Sequence, residues 1–166
     1  MGKYLYRESA ESMKKLGLEL GGNAPFIVFD DCNLEDAVKG AVASKFRNSG
    51  QTCICANRIL VQEGVYDIFV EKFVTAVKQL KVAHGLEEDC DIGPLINKAA
   101  VENTVRLVED AVSKGGRVEC GGKPHALGNF FYEPTVLTNL TRDMCVYTEE
   151  CFAPVAPMYH LHFPLK

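Results

Sequence analysis

The sequence predicts an α/β fold built on a mainly parallel β-sheet. Apolar segments of strand length alternate with longer amphipathic segments along most of the 166 residues. Residues 24–30, "APFIVFD", form a continuous apolar run, which is typical of a strand covered on both faces. Glycine pairs at 21–22 and 115–116 punctuate the alternation. Because strands joined through helices need crossover connections, this order favours parallel pairing.

The first elements follow from these patterns in chain order. Apolar positions among strongly polar ones predict a helix over 4–16 that ends near Gly17. A short strand is expected at "LEL", residues 18–20. The apolar run at 24–30 then predicts a central parallel strand.

The next helix begins at Asn33, a good N-terminal cap, and ends before Gly50, so "SGQTC" leaves it as a turn. The later elements are a strand at 58–63, a helix at 65–80, a loop at 85–97, a helix at 98–114, and strands at 117–120 and within 130–140. The final stretch, 151–166, is apolar and is expected to leave an exposed strand edge that lacks a partner segment.

Composition limits the classes of partner. The formal net charge is -4 and no basic block exceeds Lys14-Lys15, which disfavours nucleic acid and anionic lipid surfaces. No apolar run is long enough for a membrane span or a secretory leader, so an intracellular protein is expected. Seven irregularly spaced cysteines disfavour a disulfide framework and indicate a reducing compartment.

Three short segments concentrate reactive side chains: "LELGG" at 18–22, "GQTCIC" at 50–55 and "EECFAP" at 149–154. Taken singly, each has an ordinary structural explanation. Glu19 could lie on the wet face of a sheet, and Glu149-Glu150 could be a solvated loop. Cys53 and Cys55 could be nucleophile, redox pair, metal ligands or small buried hydrophobes.

No metal site is predicted. The Cys53-x-Cys55 pair has no second pair at a spacing typical of zinc sites. His160-x-His162 would share one face of a strand, but the sequence supplies no nearby carboxylate or third ligand. A Cys53–Cys55 disulfide would be strained and easily reduced, so the pair suits a reversible redox switch better than a structural crosslink.

Together, the three segments resemble the signature of the NAD(P)-dependent aldehyde dehydrogenases, whose corresponding motifs read ELGG, GQ-x-C and EE-x-FGP. Glu19 precedes Cys53 by 34 positions and Glu150 by 131, both typical of that superfamily. The resemblance extends to "IGPLIN" and "FYEPTVL". Within the superfamily, "KFRNSGQTCICANR" is similar to the succinate-semialdehyde dehydrogenases, which carry an arginine at the position of Arg47, six residues before the cysteine.

The resemblance implies a role for each matched residue. Cys53 would be the nucleophile and Glu19 the general base, made more basic by desolvation between Leu18 and Leu20. Arg47 would bind the terminal carboxylate of a semialdehyde through a bidentate pair.

The implied cofactor is NAD or NADP, with Leu20, Glu150 and Phe152 at cofactor-binding positions. Ala153 departs from the family, which has glycine there, and asks a turn to accept a Cβ.

The resemblance also implies the domain organisation. Residues 1–22 would be the last helix and strand of the cofactor-binding domain, and 23–166 the greater part of the catalytic domain, truncated at both ends. We expect such a chain to lack turnover alone, and the full-length form to be a homo-oligomer, mitochondrial in eukaryotes and cytoplasmic in bacteria. Two alternatives stay open: a non-enzymatic truncated paralogue, and a thiol redox protein using Cys53 and Cys55.

Overall fold

A computed structural model describes residues 1–162 and contains one five-stranded sheet with the order β1-β2-β5-β4-β3. The strands are β1 (Ala24–Val28), β2 (Ala56–Gln62), β3 (Arg117–Cys120), β4 (Thr135–Thr138) and β5 (Val155–Leu161). The pairs β1–β2, β2–β5 and β5–β4 are parallel, and only β3–β4 is antiparallel. The predicted α/β fold with a mainly parallel sheet is therefore confirmed.

The helices are α1 (Gly2–Ala10), α2 (Leu34–Phe46), α3 (Tyr66–Val77), α4 (Lys98–Ser113) and the one-turn α5 (Cys145–Thr148). Asn33 caps α2 as predicted, because its side chain accepts from the backbone N–H groups of Glu35 and Asp36. No helix among the described residues is both long and apolar enough to span a membrane.

Helices cover both faces of the sheet and enclose two apolar cores. Alternation along the strands separates the cores: Val136 and Ala156 belong to the first, and their neighbours Leu137 and Val155 belong to the second. Helices α2 and α3 close the first core, with Phe69 and Phe73 fully buried, and α4 closes the second. The sheet is thus the middle of three layers.

Two strand predictions were wrong in position. The apolar run at 24–30 is not a central strand: β1 pairs only with β2 among residues 1–162, and Ile27 is 48% exposed. The stretch after Cys151 is not an exposed edge, because β5 lies between β2 and β4 and residues 155–159 are buried. Residues 163–166 of that stretch lie outside the described residues.

The amino-terminal segment also differs from expectation. Helix α1 ends at Ala10 rather than near Gly17, and none of its residues is buried. Residues 18–20 form no strand, because a strand needs a hydrogen-bonded neighbour and none of the other described segments pairs with them. The assignment of residues 1–22 to a cofactor-binding domain stays a prediction.

Candidate active site

The three motif segments meet at one edge of the sheet. Residues 18–22 lead into β1, residues 50–55 into β2 and residues 149–154 into β5. Because β1, β2 and β5 are parallel neighbours, their amino-terminal ends lie along the same edge. Segments separated by more than a hundred residues in sequence are brought together by this topology.

The meeting point is an open cleft of about 690 Å³. It is lined by five of the predicted site residues: Glu19, Leu20, Cys53, Glu150 and Phe152. Cys53 is half-buried, which leaves a thiol open to the cleft yet partly shielded from water. The arrangement can expose a nucleophile and a carboxylate to the same small molecule.

The glycine pair in "LELGG" allows two close contacts across the cleft: Gly21 approaches the Glu150 side chain, and Gly22 approaches the Cys53 backbone. A Cβ on Gly21 would lie 2.5 Å from Glu150 Oε2, and one on Gly22 would lie 2.4 Å from the carbonyl oxygen of Cys53. Each of these contacts requires a residue without a Cβ. The Gly22 N–H also donates to Glu150 Oε1 at 2.9 Å, which fixes the Glu150 carboxylate against the segment that carries Glu19.

Two buried polar residues, which sequence reasoning missed, hydrogen-bond to the backbone of the segments that line the cleft. Asn57, only 1% exposed, donates through Nδ2 to the Gly22 carbonyl at 3.0 Å and accepts at Oδ1 from the Cys151 N–H at 3.1 Å. Lys45 is fully buried and donates through Nζ to the Cys151 carbonyl at 3.1 Å. The peptide between Glu150 and Phe152 is therefore held from both sides.

Cys151 lies within this support rather than in the cleft. Burial raises the pKa of its thiol, although the nearby Lys45 ammonium opposes the rise. A raised pKa reduces the thiolate fraction at neutral pH, so Cys151 is a poor nucleophile. Lys45 lies in the last turn of α2 and Asn57 at the start of β2, and neither belongs to a motif that could have revealed this support.

The turn before Cys53 is strained and tightly anchored. Asn48, Ser49 and Gly50 have consecutive positive φ values of 51°, 57° and 74°. Gln51 fixes the end of the turn, because its side chain donates to the Pro94 carbonyl at 3.2 Å and accepts from the Ile96 N–H at 2.9 Å. Strain of this kind persists only where the surrounding contacts enforce it, and it commonly accompanies functional loops.

Cys53 and Cys55 differ sharply in environment. Cys55 is fully buried, with its sulfur 2.7 Å from Thr52 Oγ1, whereas Cys53 faces the cleft. Both thiols are free. The redox switch between them stays a prediction.

Arg47 does not line the cleft around Cys53. It starts the strained turn and is exposed, and its side chain forms no hydrogen bond or ion pair with another residue of 1–162. Its guanidinium is thus available to an external anion. Its role as a carboxylate clamp stays a prediction.

Two smaller expectations are corrected. Glu19 is exposed, and Leu18 and Leu20 are 38% and 49% exposed, so the described residues do not desolvate this carboxylate. Ala153, where the resembling family has glycine, is buried and is absent from the residues with positive φ. Its Cβ therefore imposes no left-handed strain on the turn.

Comparison with known proteins is consistent with this site. Curated relatives include "Succinate-semialdehyde dehydrogenase, mitochondrial" of Oryza sativa, 57% identical over 95% of this chain and 30% of the relative. "Glutarate-semialdehyde dehydrogenase" of Pseudomonas aeruginosa is 53% identical, with coverage of 96% and 33%. "Succinate-semialdehyde dehydrogenase [NADP(+)]" of Escherichia coli is 52% identical, with coverage of 96% and 33%.

A crystal structure of succinate-semialdehyde dehydrogenase from Burkholderia pseudomallei superposes with a TM-score of 0.93 at 54% identity, over 96% of this chain and 33% of that one. The chain thus spans about a third of the length of the relatives it matches. The model of the aldehyde dehydrogenase family matches residues 1–162. With its fold, its cleft and this match, the chain belongs to the aldehyde dehydrogenase family.

Proposed function

We propose that this chain carries the nucleophile and the base of a semialdehyde dehydrogenase, which oxidises succinate semialdehyde to succinate with NAD or NADP. The observation that carries the proposal is the shared cleft lined by Cys53, Glu19, Glu150 and Phe152. The names of relatives from rice and Escherichia coli support the choice of substrate class.

In the proposed reaction, the Cys53 thiolate attacks the aldehyde carbonyl and forms a thiohemiacetal. Loss of hydride from that carbon leaves a thioester on Cys53. Glu19 then removes a proton from water, the water attacks the thioester, and the carboxylic acid and the free thiol are released. The backbone N–H of Cys53 is the local donor for the oxyanion in both steps.

The residues across the cleft suit a nicotinamide riboside. When bound, the nicotinamide ring supplies the hydride acceptor. Phe152, 43% exposed, offers an apolar ring, and Glu150 retains acceptor capacity for ribose hydroxyls although Oε1 already accepts from Gly22. Leu20 adds apolar surface beside them.

Substrate choice is proposed to depend on Arg47. Its exposed guanidinium, free of partners among residues 1–162, can form two parallel charge-assisted hydrogen bonds with a carboxylate. An interaction of this kind contributes about 1.5–3 kcal/mol, or roughly a factor of ten to a hundred in selectivity. Succinate and glutarate semialdehydes both carry the carboxylate that Arg47 would bind, and they differ by one methylene, which is worth about 1–3 kcal/mol.

Activated esters test the proposal on the chain itself, because they acylate a nucleophile without a cofactor. We expect 4-nitrophenyl hemisuccinate to acylate Cys53 faster than the neutral acetate ester, with the adduct located by peptide mass spectrometry. Arg47→Ala should abolish the preference for hemisuccinate, whereas Arg142→Ala, an exposed arginine outside the cleft, should keep it. Acylation that avoids Cys53, or a preference that survives Arg47→Ala, would contradict the proposal.

A further inference from the structure

A second cluster of chemically active side chains lies at the opposite edge of the sheet. Glu63 follows the carboxyl end of β2, while His160 and His162 lie at the carboxyl end of β5. Because β2 and β5 are parallel neighbours, these ends are adjacent. In open α/β sheets, ligands bind preferentially outside the carboxyl ends of strands.

The donor atoms of the cluster lie close together. Glu63 Oε2 lies 2.7 Å from His160 Nδ1 and 3.5 Å from His162 Nδ1, and the three donor atoms all lie within 4.8 Å of one another. Zinc binds imidazole nitrogen and carboxylate oxygen at about 2.0–2.2 Å in a tetrahedron, whose donor atoms are therefore about 3.3–3.6 Å apart. The separation of 3.5 Å falls within that range, and the separation of 2.7 Å is shorter than it.

The two imidazoles lie next to each other on the sheet. Alternation along β5 puts His160 and His162 on the same face, and their rings are parallel within 5° with centroids 5.7 Å apart. Tyr66, at the start of α3, stacks on His160 at 3.5 Å with an interplanar angle of 18°. This stacking restricts the His160 ring, so less conformational entropy is lost when a ligand binds.

We propose that Glu63, His160 and His162 form a binding site for a divalent zinc ion. Two imidazole nitrogens and one carboxylate oxygen are the donors that zinc prefers, and this His-His-Glu set leaves the fourth position to water. The expectation of no metal site rested on the lack of a third ligand, and the fold supplies Glu63 from 97 residues away. The site is separate from the cleft around Cys53 and does not depend on the proposed function.

Zinc titration of the complete chain tests this site once the thiols are removed from competition. The accessible cysteines are first alkylated with iodoacetamide, because thiolates bind zinc tightly, whereas Cys55 and Cys151 are buried and do not compete. Histidine ring resonances are then followed by NMR as zinc is added at neutral pH. We expect His160 and His162 to shift and saturate with one equivalent, while His84 and His125, which lie outside the cluster, stay unchanged.

Variants separate the site from general surface binding. Glu63→Gln and His162→Ala replace exposed residues, so the fold should persist. Each should weaken zinc binding by more than the about 10-fold that loss of even an outer partner costs. His84→Gln is the matched control and should bind zinc as the wild-type chain does. Equal shifts of all four histidines, or unchanged affinity in both cluster variants, would overturn the proposal.

Discussion

Asn57→Ala tests the support beneath the cleft most sharply. The change removes both hydrogen bonds of a residue that is 1% exposed: the donor to the Gly22 carbonyl and the acceptor of the Cys151 N–H. A buried polar group left without a partner costs about 1–3 kcal/mol. Cys151 is buried whereas Gly22 is partly accessible to water, so we expect a total loss of about 2–4 kcal/mol in the free energy of unfolding.

Urea unfolding followed by circular dichroism measures this loss, with a lower midpoint and an unchanged slope expected. Asn103→Ala is the matched control, since Asn103 is exposed on α4 and bonds only to the neighbouring Arg106. It should change stability by less than about 0.5 kcal/mol. If Asn57→Ala destabilised the chain as little as the control, the hydrogen bonds by which Asn57 joins residues 18–22 to residues 149–154 would not contribute to stability.

Three other changes address the turn, the pH dependence and the thiols. Gly50→Ala should lower the free energy of unfolding, measured by urea denaturation, by at least about 2 kcal/mol, because φ is +74° and the new Cβ would lie 2.0 Å from the Ala153 carbonyl oxygen; a neutral effect would refute this close approach. A side-chain hydrogen bond from Lys114 lowers the pKa of Asp110, whose stabilisation is therefore present above the unfolded pKa of about 4 and lost as pH falls through the folded value. Asp110→Asn should thus lower the thermal midpoint relative to the wild-type chain at pH 7, and the two midpoints should converge at acid pH. A difference in midpoint that stays constant with pH would contradict this. Mild peroxide should produce a reversible Cys53–Cys55 disulfide, which mass spectrometry would detect. Oxidation of Cys53 without that disulfide would refute the redox switch.

The sequence predicted the type of most elements but not their positions in the sheet. Alternation of strands and helices was sufficient for a parallel α/β fold, since crossover connections leave few alternatives. An apolar run, however, does not reveal how many neighbours a strand has. Among residues 1–162, the run at 24–30 became an edge strand, and the stretch from Val155 became an interior one. Residues 18–20 formed no strand despite their alternating pattern.

The reactive side chains of the candidate site could be predicted from the sequence, but the buried side chains that hold its backbone in place could not. Glu19, Cys53 and Glu150 stood out through their motifs, and they line one cleft. Asn57 has no motif, because its partners are backbone groups 35 and 94 residues away in sequence. Glu63 was likewise invisible, because only strand pairing brings it to His160.

The central claim, that Cys53 and Glu19 act in turn on one carbonyl carbon, is tested most directly by the deacylation rate of Glu19→Gln. After a pulse of 4-nitrophenyl hemisuccinate, acyl-Cys53 is followed with time by intact mass. The claim predicts acylation near the wild-type rate, followed by hydrolysis slowed about 100-fold or more, so that the adduct accumulates. Hydrolysis at the wild-type rate in Glu19→Gln would contradict it.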